Sequence, residues 1–328
     1  MQWLRSSKAF GLTAALGLLA LALILGCAIG PVAINPLAAL GVGGPALSPA
    51  DATILTQIRL PRVVLAGLVG AALSTSGAVY QTVFRNPLAD PYLLGVASGA
   101  GLGATIAILG AGGFWLPIFA FLGGSLAVAA TFVVAGRRFA DPRTLLLSGI
   151  AIGSFATALQ TYLFQSHTEQ LRSVYSWILG QLTVADWGTV GWSAGYLAIA
   201  LGVLFVIAKR LDGLLVSDEE AHSLGLRPNR LRLIAIIAAT LATATAVAAS
   251  GLIGFVGLVI PHLVRTLLHK ASNRALPTIA LFGAAFLILA DLGARTVIAP
   301  AELPIGVITA FIGAPFFLLV LRRKGGQA

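Results

Sequence analysis

The sequence has little charge, few acidic residues and one cysteine. Of its 328 residues, 10% are charged and 58% are hydrophobic, whereas about a quarter of a typical soluble domain is charged. Cys27 has no second cysteine to pair with, so an intrachain disulfide is excluded. The chain has 11 Asp and Glu against 21 Lys and Arg. In so apolar a chain this excess indicates basic loops that fix membrane topology, and nucleic acid is not expected as a partner.

Sequence motifs for nucleotide hydrolysis and metal binding are also missing. No lysine stands in the Gly-Lys-Ser/Thr of a phosphate-binding loop. The four histidines, His167, His222, His262 and His269, lack metal-ligand spacing, so no metal site is predicted. We therefore expect a chain that is not an enzyme and holds no permanently bound cofactor.

Long apolar runs without alternation favour membrane-spanning helices over a barrel. The runs predict an all-α polytopic membrane protein with about ten crossings, near residues 10–30, 61–82, 93–110, 114–135, 144–164, 190–208, 232–250, 251–268, 276–298 and 304–321. Pro261 and His262 interrupt the run at 251–268, which predicts a short or broken span there. The first run is interpreted as a transmembrane helix rather than a signal peptide. No linker divides the chain, so residues 1–328 are expected to form a single transmembrane domain.

The distribution of basic residues predicts the orientation of these spans. With the N-terminus inside and strict alternation, all but four of the 21 Lys and Arg fall in inside segments. The exceptions are Arg59, Arg62, Arg172 and Arg295. Both termini are therefore expected in the cytoplasm.

The longest polar insertion on the predicted inside face is residues 209–232. Ser217 can cap a short helix whose first turn holds Asp218, Glu219 and Glu220, and Gly225 can end it. The residues alone leave two alternatives open: a helix that lies in a partner's groove, or a surface helix that only connects two spans.

A second polar stretch, NPLADP at residues 86–91, follows the span that begins near Arg59 and Arg62. Pro87 cannot donate a backbone hydrogen bond and biases Asn86 away from helix, so a stiff inside turn is predicted. The main candidate for a charge inside a span is Asp291, and an ion pair with Arg295 one turn later would lower its cost. Because ionisable groups in spans are scarce, a transport subunit powered by a separate protein is favoured over an ion-coupled secondary transporter.

Four stretches in order along the chain resemble the bacterial permeases that import vitamin B12, haem and ferric siderophores, the family often called FecCD. They are residues 57–101, SDEEAHSLGL at 217–226, GLIGFVGLVIPHLVR at 251–265, and 289–317. The resemblance covers nearly the whole chain. It implies a vitamin B12 permease-like fold in the lipid bilayer of the bacterial inner membrane, and a homodimer with the pathway between the two copies. It also implies two cytoplasmic ATPase subunits that use the ATP, and one periplasmic or lipoprotein substrate-binding protein.

The resemblance also implies roles for individual residues. Arg59, Arg62 and Arg295 match the arginines that dock the binding protein. The positions Ser217, Asp218, Glu219, Glu220, Ala221, His222, Ser223, Leu224 and Gly225 match the helix that couples to the ATPase. Asn86, Pro87 and Leu88 match the cytoplasmic gate. Small hydroxyl residues complete that gate in some relatives, and this chain departs from them with Pro142 and Arg143.

The expected function is that of a permease subunit of a binding-protein-dependent ABC importer. The cargo expected first is an iron chelate, either haem or a ferric siderophore, and cobalamin is the alternative. An ion-coupled secondary transporter is the alternative from a different class.

Overall fold

A computed structural model of the chain describes residues 2–40, 42, 47–110, 115–136, 141–183, 185–268 and 272–325. Within these ranges the structure is built from helices and contains no strand. The α-helices are α1 Gln2–Ala28, α2 Pro49–Thr53, α3 Leu60–Val83, α4 Val96–Gly110, α5 Leu116–Ala135, α6 Pro142–Ser166, α7 Leu171–Ile178, α8 Trp187–Leu211, α9 Asp218–Ser223, α10 Pro228–Ser250, α11 Val256–Leu268, α12 Leu276–Thr296 and α13 Ile305–Gly325.

Seven helices of the described chain are long and apolar enough to cross a membrane. One of them, Pro49–Val83, is continuous because a π-helical turn at Ile54–Arg59 joins α2 to α3. Shorter apolar helices lie at α4, α11 and α13. The long and short helices together match the expected crossings, so the predicted all-α polytopic fold is confirmed.

Two spans form the centre of the bundle. In α10 and in Pro49–Val83, 78% of the membrane-length window is buried inside the protein, whereas the corresponding share for α1 and α6 is 28%. The exposed faces of the outer helices carry large apolar side chains, such as Phe155 and Val206. Because lipid tails are as apolar as these side chains, close packing rather than exclusion from water must hold the central helices together.

Glycines bring α3 into backbone contact with two neighbouring helices. A Cβ atom at Gly70 would overlap the carbonyl oxygen of Gly283 on α12, and one at Gly77 would overlap the backbone of Gly257 on α11. Only glycine leaves room for such an approach. Gly99 and Gly103 of α4 approach the backbone of α5 in the same way.

The span at 251–268 was predicted to be short or broken, and the structure shows it short and unbroken by Pro261 and His262. Helix α11 continues through Pro261, and the irregular backbone lies earlier, at residues 251–255. Phe255 there has a φ of 69°, in the left-handed region. The span is still short, as predicted, because it begins at Val256. Helix α7 and the π-helical turn were not predicted.

Substituting Gly77→Ala should lower the apparent melting temperature of the detergent-solubilised protein, because the added methyl group has no space between α3 and α11. Overpacking of this kind costs about 1–3 kcal/mol. The matched control is Gly202→Ala on α8, where nothing lies within 4 Å of the new Cβ. An equal loss of melting temperature in both variants would contradict the close-approach argument.

Candidate functional site

The three arginines predicted to dock a binding protein lie at one end of the bundle, and two of them, Arg62 and Arg295, pair with Asp291. Arg62 Nη2 donates to Asp291 Oδ1 at 2.9 Å and to Glu302 Oε2 at 2.9 Å. Arg295 Nε lies 3.1 Å from Asp291 Oδ2, and its Nη2 donates to Gly26 O at 3.0 Å. The predicted ion pair between Asp291 and Arg295 is therefore confirmed. We call residues 59, 62, 291, 295 and 302 the arginine cluster.

Arg59 is buried and is bonded to backbone carbonyl groups instead of a carboxylate. Its Nη1 donates to Cys27 O at 2.8 Å and to Ala28 O at 3.0 Å, and its Nη2 donates to Val32 O. Cys27 and Ala28 are the last residues of α1, where carbonyl groups lack partners within the helix. Arg59 therefore caps α1.

The arginine cluster is largely enclosed. Asp291 is 1% exposed and the Arg62 side chain 11%, while the Glu302 side chain is 36% exposed. A cavity of about 140 Å³ lies beside Arg62, Asp291, Glu302 and Gln181. Leaving one partner of a buried ion pair unpaired costs about 3–5 kcal/mol. The cluster thus fixes the positions of the helix ends that it joins, and its exposed rim is formed by Glu302 and Arg62.

The opposite end of α3 leads into residues 84–95, the turn segment. Asn86 Oδ1 accepts from Leu88 N at 2.9 Å, and Asp90 Oδ1 accepts from Tyr92 N at 2.8 Å. Each bond closes an Asx turn, so the predicted turn is confirmed. Burial raises the pKa of Asp90 to about 6, although the N–H of Tyr92 acts in the opposite direction.

The gate candidates occupy the first of these two turns. Pro87 and Leu88 are exposed and Asn86 is partly exposed. Pro87 and Leu88 also line a small pocket with Leu258, Val259, His262, Phe316 and Phe317 of α11 and α13. Pro142 and Arg143 form the first turn of α6, which Asp141 caps through Thr144 N at 3.2 Å.

The predicted short helix is α9, and its caps agree with the sequence. Glu220 N donates to Ser217 Oγ at 3.2 Å, and Ser217 N donates to Glu220 Oε2 at 3.2 Å, which forms a capping box. Gly225 has a φ of 75° just after the helix. Ala221 is fully buried, whereas Leu224 is 69% exposed. His222, Ser223 and Gly225 are exposed as well. Residues 222–225 therefore form an exposed rim of α9 that a partner could contact.

Two arginines hold α9 at its first residue, Asp218. Arg232 Nη1 donates to Asp218 Oδ2 at 2.8 Å, and Arg85 Nη2 donates to Asp218 Oδ1 at 2.8 Å. The hydrogen bond from Arg232, followed by that from Arg85, lowers the pKa of Asp218 to about 2. The carboxylate is therefore ionised at neutral pH. The sequence prediction missed Arg85 and Arg232, although Arg85 directly precedes NPLADP.

No group of three or more His, Cys, Asp or Glu side chains that could hold a metal ion occurs within the described residues.

The chain matches known permeases over most of its length. Residues 18–323 match the model of the FecCD transport family. The chain is 39% identical to the cobalamin import system permease protein BtuC of Halobacterium salinarum, over 84% of this chain and 75% of that protein. It is 40% identical to the hemin transport system permease protein HmuU of Yersinia pestis, over 83% of this chain and 84% of that protein.

A solved structure described as an inward-facing conformation of a metal-chelate type ABC transporter has the same fold. Its TM-score is 0.86 at 32% identity, and the match covers 95% of this chain and 98% of that one. The family match, the relatives and the shared fold agree with the helices found here. This chain belongs to the FecCD transport family and is a multi-pass membrane permease.

Proposed function

We propose that this chain is the permease subunit of an ABC importer that carries an iron chelate, either haem or a ferric siderophore, across the bacterial inner membrane. The match to the FecCD family over residues 18–323 carries this proposal. The relative named for hemin supports an iron chelate. The relative named for cobalamin makes vitamin B12 the second candidate.

The proposed orientation places the arginine cluster outside, with the turn segment, α9 and both termini in the cytoplasm. It follows from the basic residues, of which all but four of 21 lie on the proposed inner side. Of the basic residues assigned to that side, Arg137, Arg138 and Lys270 lie outside the described residues. Two copies would enclose the pathway between them, with two ATPase subunits against the inner face and one binding protein against the outer face.

The proposed energy source is a separate ATPase, because the chain lacks a Gly-Lys-Ser/Thr sequence. Helix α9 would seat in a groove of that subunit through its exposed rim, which includes Leu224. The closing motion of the ATPase would then reach the spans as rigid-body movement.

The pairing of Asp291 argues against an ion-coupled secondary transporter. Asp291 is 1% exposed and lies between the guanidinium groups of Arg62 and Arg295. A carboxylate that is neutralised by two arginines is a poor site for Na⁺ or for a transported proton.

Uptake into vesicles should require the partner ATPase, the binding protein and ATP. Haem, several ferric siderophores and cobalamin should be compared by their stimulation of ATP hydrolysis in the complete complex. We expect an iron chelate to stimulate hydrolysis more strongly than cobalamin. Stimulation by cobalamin alone would reassign the cargo, while uptake by this chain alone under an ion gradient would establish the secondary transporter.

Docking of the binding protein is proposed to use the outer rim of the arginine cluster. Arg62 would turn part of its guanidinium fork toward a partner carboxylate, which would compete with Glu302 for the same donors. Arg59 and Arg295 are bonded to α1 and to Asp291. Their proposed contribution is the positive potential that speeds the encounter.

Two substitutions that break the same internal ion pair should change docking in opposite directions. Arg62→Gln removes the donor and should weaken binding of the binding protein by about tenfold at low salt. Glu302→Gln frees the donor and should strengthen it. Because both variants lose the Arg62–Glu302 pair, parallel losses in surface-plasmon-resonance affinity would indicate damage to the fold and refute the docking role.

The cytoplasmic gate is proposed to be Asn86, Pro87 and Leu88. Leu88 is 43% exposed, so its side chain is available to a second copy. The two Asx turns fix the backbone that carries it.

A disulfide between two copies carrying Leu88→Cys should block uptake, and reduction should restore it. The native Cys27 is 5% exposed, so the unsubstituted protein treated with the same oxidant is the control. Full uptake with complete crosslinking, read on a non-reducing gel, would show that residues 86–88 do not narrow the pathway.

A further inference from the structure

The turn segment and α9 are separate in sequence but are joined by one side chain. Arg85, the residue before NPLADP, donates from Nη2 to Asp218 Oδ1 at 2.8 Å and to Val216 O at 2.6 Å. Its Nε donates to Leu214 O at 2.7 Å. One planar guanidinium thus binds three acceptors within residues 214–218, an arrangement that a lysine could not reproduce.

The backbone of Arg85 is as specific as its side chain. Its φ is 50°, in the left-handed region that residues other than glycine seldom occupy. This conformation turns the chain out of α3 and starts the turn that carries Asn86 and Leu88. The residue that fixes the direction of the turn segment is therefore also the residue bonded to α9.

Arg85 is the sole hydrogen-bonded connection between these two segments in the described chain. Within those residues, every hydrogen bond between 84–95 and 209–232 comes from its guanidinium group. Arg232 also binds Asp218, with Nη2 2.5 Å from Oδ1, but it lies near the start of α10. Arg232 therefore holds α9 to α10, whereas Arg85 holds α9 to the end of α3.

A second set of bonds keeps the last turn of α3 against the same region. Asp212 accepts from Asn273 N at 2.6 Å and from Ser272 Oγ at 2.7 Å. Thr82 Oγ1 in turn donates to Asn273 Oδ1 at 2.9 Å. The segment just before α9 is thus bound to α3 through Asn273 as well. These bonds fix the end of α3 from which Arg85 extends.

We infer that Arg85 is a positioning residue that makes α9 and the turn segment 84–95 move together. The inference rests on the proposed function, in which α9 receives the motion of the ATPase and residues 86–88 narrow the exit. A displacement of α9 would act on Asp218, pass through the guanidinium of Arg85 and reach the backbone one residue before Asn86. This path carries the movement of α9 directly to Asn86. It does not require the helices between the two segments in the sequence to move relative to each other.

The variant that tests this inference is Arg85→Gln, and the matched control is Arg274→Gln. Arg274 is exposed and follows Asn273 at the same end of the bundle. Arg85→Lys is the conservative variant, because it keeps the charge but can satisfy fewer of the three acceptors.

The first measurement is hydrogen exchange in the purified permease, without partners. Arg85→Gln should accelerate exchange by about tenfold in peptides from both 84–95 and 215–226, because the hydrogen bonds that join the two segments are lost. Arg85→Lys should show a smaller rise, and Arg274→Gln none. Acceleration confined to one segment, or absent from both, would overturn the inference.

The second measurement is cargo taken up per ATP hydrolysed by the complete complex in vesicles. Arg85→Gln should lower this ratio by at least about fivefold while the ATPase still assembles and hydrolyses ATP. A merely structural role would lower assembly and hydrolysis together and leave the ratio unchanged, which would overturn the inference. If Arg85→Gln does not fold, Arg85→Lys gives the decisive ratio.

The two measurements separate this inference from the proposed function. If the unsubstituted complex shows no ATP-dependent uptake, the proposed function fails. The exchange experiment still decides whether Arg85 joins the two segments.

Discussion

The carboxylate of Asp291 is the constraint on which one end of the bundle depends. It lies on α12, is 1% exposed, and is paired with Arg62 from α3 and Arg295 one turn further along its own helix. Arg295 continues to a carbonyl of α1, so one buried anion ties three helices together. The other end uses the same device, with Asp212 and Asp218 as the anions. A chain with only 11 acidic residues thus places several of them where each gathers more than one donor.

The same use of a shared carboxylate occurs at both proposed partner sites, the arginine cluster for the binding protein and α9 for the ATPase. At the arginine cluster the donors are already occupied, so a docking partner must offer carboxylates that exchange with Glu302. At α9 the shared carboxylate of Asp218 connects the helix proposed to contact the ATPase to the turn proposed to line the pathway. In both places a buried or half-buried ion pair fixes geometry more than it adds stability, because the desolvation cost offsets much of the attraction.

Much of the fold could be predicted because local signals decide it. Apolar runs predicted most span ends closely, although α1 begins at Gln2 rather than near residue 10 and the helix that contains α3 begins at Pro49. Ser217 with Gly225 marked both ends of α9. The Asn86 turn followed from Pro87, and the Asp291–Arg295 pair from helical spacing. Pairings between distant segments could not be predicted in this way. Nothing local shows that Arg62 reaches Glu302, that Arg59 reaches α1, or that Arg85 reaches Asp218, since each depends on how the helices pack. The continuity of α11 through Pro261 depends on packing as well.

The capping of α1 by Arg59 has a consequence for how this position is interpreted. Three carbonyl groups at residues 27, 28 and 32 accept from one guanidinium. Without this guanidinium, the carbonyl groups of Cys27 and Val32 would lose these hydrogen bonds, whereas Ala28 O would still accept from Ile34 N at 3.1 Å. Arg59 therefore has a structural role at the end of α1 that does not depend on the docking of a binding protein. Loss of transport on replacing Arg59 would therefore not by itself show a role in docking, because the same substitution removes the hydrogen bonds at the end of α1.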